Sequence, residues 1–384
     1  MRRVAWVVSH PIQYQAPVFR RLAAMPDLDF KVLFLSDHGM RPSLDPQFGI
    51  SIRYDVPLLD GYPWELLEGR SRKPHGPSFD SVWATGLHNA LRGYQAVVVS
   101  GWNYLGYVHA IQLARFRGAR VIHLSESTLE DHHRPLSVRM AKALLFKGLI
   151  RPNDHALATG VRSRRYLEHA GVRPRNIHAY PYTTDTSLTD EAWPRRAELR
   201  AAVRADLGIP ADAVVFLFSG KLIPKKNPVG VADAFTRLKG EPHLLMMGAG
   251  ELEGAVRARL DGHPRAHLLG FRNQSEVASF YAAADVLVLP SVESETWGLV
   301  VNEAMAMGDA VIVSDRVGSS EDLVQGQGTG LTVPASDLHA LAAAMQRAVD
   351  DRASLASWQR RARDRIVEHT PDRAAAGVRE AVLA

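Results

Sequence analysis

Glu295 and Glu303 stand eight positions apart in the stretch Ala284–Asp315, ADVLVLPSVESETWGLVVNEAMAMGDAVIVSD. The run reads as a strand, a turn carrying Glu293 and Glu295, and a helix from Leu299 to Met307 that Trp297-Gly298 opens and Gly308 ends. That helix is apolar almost all round, so it is expected to be buried, with Glu303 as its exception. A carboxylate taken out of water without donors costs several kcal/mol or more. Two partner sets would satisfy Glu303: a core arginine or backbone N–H groups, or a pair of ligand hydroxyls at about 1.5–3 kcal/mol each. Free N–H groups around Trp297, Gly298 and Leu299, with the positive end of the helix dipole, would suit an anion. Gly298 either lets a ligand approach the backbone or simply fits a tight turn.

The second cluster is Phe218–Pro228, FSGKLIPKKNP, where a strand ends at Ser219-Gly220 and Lys221, Lys225 and Lys226 follow. Ammonium groups at the carboxyl end of a strand suit a diphosphate; a solvated basic loop is the plainer reading of the same residues. In the first half, the turn Ser9-His10-Pro11-Ile12-Gln13-Tyr14 follows the first strand, and His123-Leu124-Ser125-Glu126-Ser127 ends the fourth. His10 and Gln13 could contact a ligand or cap and pack locally. Glu126 could orient an acceptor hydroxyl or cap the next helix, with His123 and Ser125 beside it.

These residues need a scaffold, and the chain supplies an alternation of short apolar strands and longer helical patterns. That pattern predicts an α/β architecture with parallel sheets. Strands are expected at Val4–Val8, Phe30–Leu35, Ala96–Val99, Arg120–Leu124, His155–Ala158 and Asn176–Ala179, with helices at Gln15–Ala24, Tyr107–Arg117 and Pro135–Leu149. Arg70–Pro77 reads as a loop. The Thr/Asp-rich segment Tyr182–Pro194 reads as a linker before a polar helix, Arg195–Leu207. A second alternation follows, with strands at Val214–Ser219, His243–Met247, Ala266–Leu269, Val286–Leu289 and Ala310–Ser314, and a helical tail broken near Thr370-Pro371. The reading is two doubly wound, Rossmann-like halves, residues 1–190 and 191–366, with a ligand cleft expected between the carboxyl ends of their sheets.

The bulk composition narrows the class. A chain of 384 residues suits two domains, and 46% hydrophobic with 23% charged residues is ordinary for a globular protein. The absence of cysteine excludes disulfides, zinc-thiolate sites and cysteine nucleophiles, and fits a reducing, cytoplasmic setting. The apolar run Val4–Val8 is too short for a secretion signal. A formal charge of +5 suits an anionic ligand or acidic membrane surface and is too modest and scattered for nucleic acid. Ser137–Ile150 carries an apolar stripe flanked by Arg139, Lys142, Lys147 and Arg151, which reads as core packing or as peripheral contact with a membrane's inner face.

The order and spacing of these clusters resemble retaining glycosyltransferase family 4, enzymes of the GT-B fold. The family's Glu-x7-Glu motif corresponds to Glu295-Thr296-Trp297-Gly298-Leu299-Val300-Val301-Asn302-Glu303. Its Gly-Arg-Leu-x3-Lys-Gly loop corresponds to Gly220-Lys221-Leu222-Ile223-Pro224-Lys225-Lys226-Asn227. Met247-Gly248-Ala249-Gly250, Leu269-Gly270-Phe271, Ala284-Asp285-Val286 and Gly330-Leu331-Thr332-Val333-Pro334 are similar too, over roughly residues 155–350. The resemblance implies a hexosyl transfer from a nucleotide-diphosphate sugar, as co-substrate, to an acceptor hydroxyl, with retention and with no cofactor or metal. It implies that Glu303 holds ribose hydroxyls, that Glu295 and the backbone of Trp297–Leu299 face the donor sugar, and that Lys221 and Lys226 neutralise the departing diphosphate. Phe271-Arg272 would lie against the base, and a last helix, about 367–384, would pack back onto the first domain. Two positions depart from the family: Lys221 replaces an arginine and loses its two-pronged fork, and Asn227 replaces a glycine. The acceptor would be read by first-half loops such as Asp37–Leu59 and Arg70–Ser81.

Three rival readings are weaker. Gly248-Ala249-Gly250-Glu251-Leu252-Glu253-Gly254 places its third glycine one position late for a dinucleotide fingerprint, and Asp261 falls in a polar turn. His132-His133 lacks a metal-ligand spacing. An epimerase or silent nucleotide-sugar binder of the same fold remains the alternative that the Lys loop and the glutamate pair argue against.

Overall fold

The computed structural model describes residues 1–40, 43–45, 50–52, 55–68, 79–129, 140 and 148–384, with residues 43–45 and 50–52 described by their backbone alone. The loop Arg70–Pro77, the pair His132-His133 and most of the amphipathic segment Ser137–Ile150 lie outside the described residues. The chain divides into two units: Met1–Ser43, Pro57–Thr184 and Thr370–Ala384 form the first, and Leu44–Val56 with Asp185–His369 the second. Short strands Ser43–Asp45 and Ile50–Ile52 make a separate two-stranded sheet.

The first unit is built on a seven-stranded sheet in the order Trp64–Leu66, Leu28–Phe34, Arg2–Val8, Ala96–Ser100, Arg120–Ser125, His155–Ala158, Ile177–Ala179. Its pairings are parallel, with Val4 opposite Phe30 and Ala96. Strands of this kind are covered on both faces, which is why their sequences are nearly continuous apolar runs. Trp6 anchors one face: it is fully buried, its ring meets Phe19 edge-on at 5.0 Å, and its indole N–H donates to Ser100 Oγ at 2.8 Å. Helix Pro371–Leu383 covers the same face with Ala374, Ala375, Val378, Ala381 and Val382. Gly377 seats it, because a Cβ there would lie 1.7 Å from the carbonyl oxygen of Ala179.

The second unit carries a six-stranded parallel sheet in the order Ala266–Gly270, His243–Met247, Val215–Ser219, Val286–Leu289, Ala310–Ser314, Gly330–Val333. Asp285, just before its strand, explains the Ala284-Asp285-Val286 motif. Its carboxylate accepts from Arg200 at 2.8 Å, Arg204 at 2.9 Å and the Val215 amide at 2.8 Å. Helix Arg196–Asp206 is thereby fastened to two central strands.

The structure departs from the sequence reading in a few places. Trp64–Leu66 and Gly330–Val333 add edge strands, both too short to stand out as periodic runs. The expected linker contains a helix, Thr186–Ala192, whose cap Asp185 accepts from the Ser187 amide at 3.1 Å. The tail breaks at Asp351 as well as at Thr370, with Asp351 capping helix Arg352–Ile366. The expected helix Leu299–Met307 is Val300–Ala306.

Candidate active site

In both units the chemistry-bearing residues follow the carboxyl ends of central strands. In the second unit, Val215–Ser219 runs into Gly220, and the chain makes a short turn at Pro224–Lys226 before helix Pro228–Phe235. Asn227 sits between turn and helix in the left-handed region at φ 54°, and its side-chain oxygen accepts from the Gly230 amide at 3.2 Å. Asparagine tolerates that conformation better than most residues because its short amide bonds locally. Asn227 therefore takes the left-handed conformation for which glycine is the usual residue and caps the helix as well.

The Lys loop lies against its neighbours. The Lys225 carbonyl accepts from the Val292 amide at 2.9 Å, tying it to the loop that bears the glutamates. A Cβ on Gly248 would lie 1.8 Å from the Gly220 carbonyl oxygen, so the end of strand His243–Met247 reaches the Lys loop only through glycine. Lys226 Nζ is 2.7 Å from Glu295 Oε2, each side chain 15% exposed. Glu295 is held by its backbone, since its amide donates to the Arg316 carbonyl at 3.0 Å and its carbonyl accepts from the Gly318 amide at 2.9 Å. Two residues on, Trp297 is buried, donating through its indole N–H to Asn302 Oδ1 at 2.8 Å. Gly298 has φ +88°, and a Cβ there would press on Leu289 at 2.9 Å, so this turn requires glycine for packing as well as for backbone conformation. Leu299 caps the seven-residue helix Val300–Ala306.

Glu303 is half-buried among the buried Asn302, Ala304 and Met305. Its partner is neither an arginine nor a backbone amide. The hydroxyl of the fully buried Tyr281 donates to Glu303 Oε2 at 2.8 Å and lies 3.1 Å from Ser219 Oγ. Burial pushes the Glu303 carboxyl up to about 7, against the opposing effect of the Tyr281 hydrogen bond. Burial likewise holds the Tyr281 phenol well above its usual range, so it stays a donor. Arg272 is paired with Glu276 at 3.1 Å and lies over the Phe280 ring at 5.3 Å, while Phe271 and Lys221 are partly exposed on the same strand-end loops.

In the first unit, Glu126 follows strand Arg120–Ser125. Its Oε1 accepts from the Tyr182 hydroxyl at 2.7 Å, and that hydroxyl is 3.1 Å from the Tyr14 hydroxyl. Burial raises the Glu126 carboxyl above its ordinary range, and the two tyrosine hydroxyls oppose the rise. His10 Nδ1 is 2.8 Å from Ser9 Oγ, and its ring meets that of His38 at 5.0 Å. Gln13 presents a buried side-chain oxygen with no partner among the described residues. The other two first-half candidates are engaged elsewhere. His123 is fully buried with Nε2 3.0 Å from Asp154 Oδ2, and the Ser125 hydroxyl accepts from the Ser127 amide at 3.3 Å.

Sequence reasoning did not single out Tyr14, Tyr182 and Tyr281 as partners of these carboxylates. Tyr281 pairs with a residue 22 positions later and Tyr182 with one 56 positions earlier, separations that no local pattern encodes. Among the described residues, no group of three or more His, Asp or Glu side chains is placed to hold a metal ion, and no helix is long and apolar enough to cross a membrane.

Two parallel Rossmann-like sheets, each with its polar residues at the strands' carboxyl ends, define a protein of the GT-B type. Solved structures agree on the fold. The Anabaena Alr3699/HepE protein, in complex with UDP, superposes with TM-score 0.74 at 16% identity over 100% of both chains. The sucrose-phosphate synthase of Thermosynechococcus elongatus gives 0.67 at 21% identity, covering 99% of this chain and 98% of its own. Residues 200–365 match the family model described as glycosyl transferases group 1. A D-inositol 3-phosphate glycosyltransferase from Streptomyces bingchenggensis is 36% identical over 363 residues, 86% of this chain and 76% of that protein. The protein of the same name from Xylanimonas cellulosilytica is 31% identical over 202 residues, where the match spans about half of each chain, 50% and 48%. The chain belongs to the glycosyltransferase group 1 family.

Proposed function

We propose that this glycosyltransferase is a member of family 4 that moves a hexose from a nucleotide-diphosphate donor to an acceptor hydroxyl, with retention and without a metal ion. The observation that carries the reading is the Lys226–Glu295 pair at 2.7 Å, beside Glu303 and its tyrosine, at the carboxyl end of one sheet. A lysine already fixed by a carboxylate is a preorganised cation. It needs little reorganisation as negative charge develops on a departing diphosphate, which is the condition under which electrostatic stabilisation is most effective. Lys221 would share that charge. Glu295 then has an oxygen to offer donor sugar hydroxyls, and the ionised Glu303 a site for two ribose hydroxyls, since Tyr281 occupies only one side of it. Phe271 and Arg272 would border the base.

On the first unit, Glu126 and its two tyrosines form a polar, largely dehydrated cluster suited to holding an acceptor hydroxyl, with His10 and Gln13 after strand Arg2–Val8, one strand removed in the same sheet. In the front-face course that family 4 resemblance implies, the leaving phosphate oxygen takes the acceptor's proton, and the carboxylates bind and orient rather than attack. The test is turnover with UDP-, GDP-, ADP- and dTDP-sugars in excess chelator. D-inositol 3-phosphate, the compound in the relatives' name, is the first acceptor to try. Transfer that persists in chelator is the expected result; activity that is silenced and then rescued by Mg²⁺ or Mn²⁺ would contradict the metal-free reading.

A further inference from the structure

The first unit has a concentration of positive charge of its own, at the opposite edge of its sheet from Glu126. Four neighbouring strands begin there. Arg2 opens Arg2–Val8, Gln95 precedes Ala96–Ser100, Arg120 opens Arg120–Ser125, and His155 opens His155–Ala158. Together with Arg115 and Arg151 they line a cavity of about 420 Å³. Strands of four to seven residues, rising about 3.3 Å per residue, separate this cavity from the carboxyl-end loops by roughly 13–23 Å. It is not an extension of the site described above.

The charges in the cavity are unbalanced. Its one acidic side chain, Asp154, is committed: it pairs with Arg115 and lies 3.0 Å from His123 Nε2. Among the described residues no carboxylate pairs with Arg2, Arg120 or Arg151. Arg120 is held in place by the last turn of helix Pro371–Leu383, donating through Nη1 to the carbonyls of Val382 at 2.8 Å and Ala381 at 3.2 Å. Those bonds use one nitrogen of its planar fork and leave the others for a second acceptor. Burial, and then the charge of Arg2, depress its ordinarily very high pKa. His155, stacked on His178 with Nδ1 3.0 Å from Nε2, is pushed down to about 4 by burial and by Arg120. Guanidinium groups brought together in a concavity repel one another unless an anion joins them, and Arg is the residue whose geometry best matches phosphate oxygens.

We infer that this cavity, built from Arg2, Arg120 and Arg151 at the amino edge of the first sheet, is a binding site for a phosphorylated compound, separate from the glycosyl-transfer site. A volume of about 420 Å³ lies in the range of small-ligand pockets and leaves room for more than a bare phosphate. The phosphate could belong to a soluble molecule or to a lipid headgroup, since the arginines recognise the same oxygens in either.

The experiment is a calorimetric titration of the full chain with inorganic pyrophosphate, repeated on Arg2→Gln/Arg151→Gln and on Lys226→Ala. Arg2 and Arg151 are exposed, so the double variant is expected to keep the wild-type melting curve. Pyrophosphate should bind Lys226→Ala, and at this site its affinity should fall about tenfold or more in the double arginine variant. In parallel, bound pyrophosphate should raise the His155 imidazole titration followed by NMR, because a nearby anion favours the protonated ring. Equal binding by the wild type and the double variant, or no binding by Lys226→Ala at millimolar pyrophosphate, would overturn the assignment. Once binding is established, cosedimentation with phosphatidylglycerol but not phosphatidylcholine vesicles, lost in the double variant, assigns the phosphate to a headgroup; its absence assigns it to a soluble compound.

Discussion

Each unit gives a carboxylate a tyrosine hydroxyl, Glu126 just after a strand and Glu303 within helix Val300–Ala306, and the two arrangements are specified differently. Glu303 belongs to a locally encoded assembly: Glu295, Trp297, Gly298 and Glu303 lie within one turn and one helix, and the Lys loop is joined to that turn by the Lys225 carbonyl and by Lys226. Glu126 depends on Tyr14 and Tyr182, the latter 168 residues from the former along the chain. The second unit's site is therefore nearly complete once its sheet has formed. The first unit's site exists only when the ends of three separate strands are already in register. On the proposed function, the donor side is the one written in local motifs and the acceptor side the one assembled from distant segments.

The comparison can be broken first at Lys226. Lys226→Ala removes the preorganised cation and leaves Glu295 without its ion-pair partner, so turnover should fall about 10²-fold or more. Single-turnover kinetics would separate this from a binding defect, and a variant with unimpaired transfer would remove lysine from the mechanism.

A smaller effect is expected on the first unit. Tyr182→Phe deletes the hydroxyl that donates to Glu126 at 2.7 Å, a charge-assisted bond whose loss costs about 1.5–3 kcal/mol. The acceptor KM should rise or transfer should slow by about tenfold or more, while nucleotide affinity stays as in the wild type. Loss of nucleotide affinity in a well-folded Tyr182→Phe protein would show that the two carboxylate sites are not functionally divided.

The mildest contrast is in acid stability. Burial holds His155 in the first unit, and His243 and His369 in the second, down at about 4. As pH falls below about 6.5 the unfolded chain takes up these protons before the folded one does, so stability is lost progressively toward about pH 4 in both units. Glu303 contributes with the opposite sign. Its folded pKa of about 7 lies above the unfolded value, so its contribution to stability falls as pH rises from about 4.5 toward 7. Chemical denaturation at several pH values should give lower stability near pH 5 than at neutrality, and His243→Gln should flatten part of that slope. A profile unchanged by that substitution would remove the buried imidazole as its cause.

Much of the architecture was legible in the sequence, because parallel strands buried on both faces leave apolar runs that periodicity finds. Five strands of the second unit were placed within a residue of their observed limits, and the sixth, Gly330–Val333, stood out only as a motif. Short edge strands escaped for the same physical reason: three residues at a sheet margin, such as Trp64–Leu66, carry no detectable alternation. Glu303's need for a donor followed from its place in an apolar helix, but the donor's identity did not. Tyr281 lies in a different helix, Gln274–Ala283, and meets Glu303 only through the packing of both against the sheet. His123 shows the converse. Its position near a strand's end marked it for the site, whereas side-chain alternation along the strand sends it into the sheet's covered face and onto Asp154.

The central claim is that Glu303, held by Tyr281 and raised to about 7, binds the donor's ribose in its ionised form. Its most direct test is calorimetric titration of the nucleoside diphosphate that the donor panel selects, into wild type and Glu303→Gln, from about pH 6 to about pH 8. The wild type should bind more tightly as pH rises through 7, and Glu303→Gln should bind about tenfold or more weakly at the upper end, with a flatter pH response. Equal affinities and parallel pH profiles for the two proteins would contradict it.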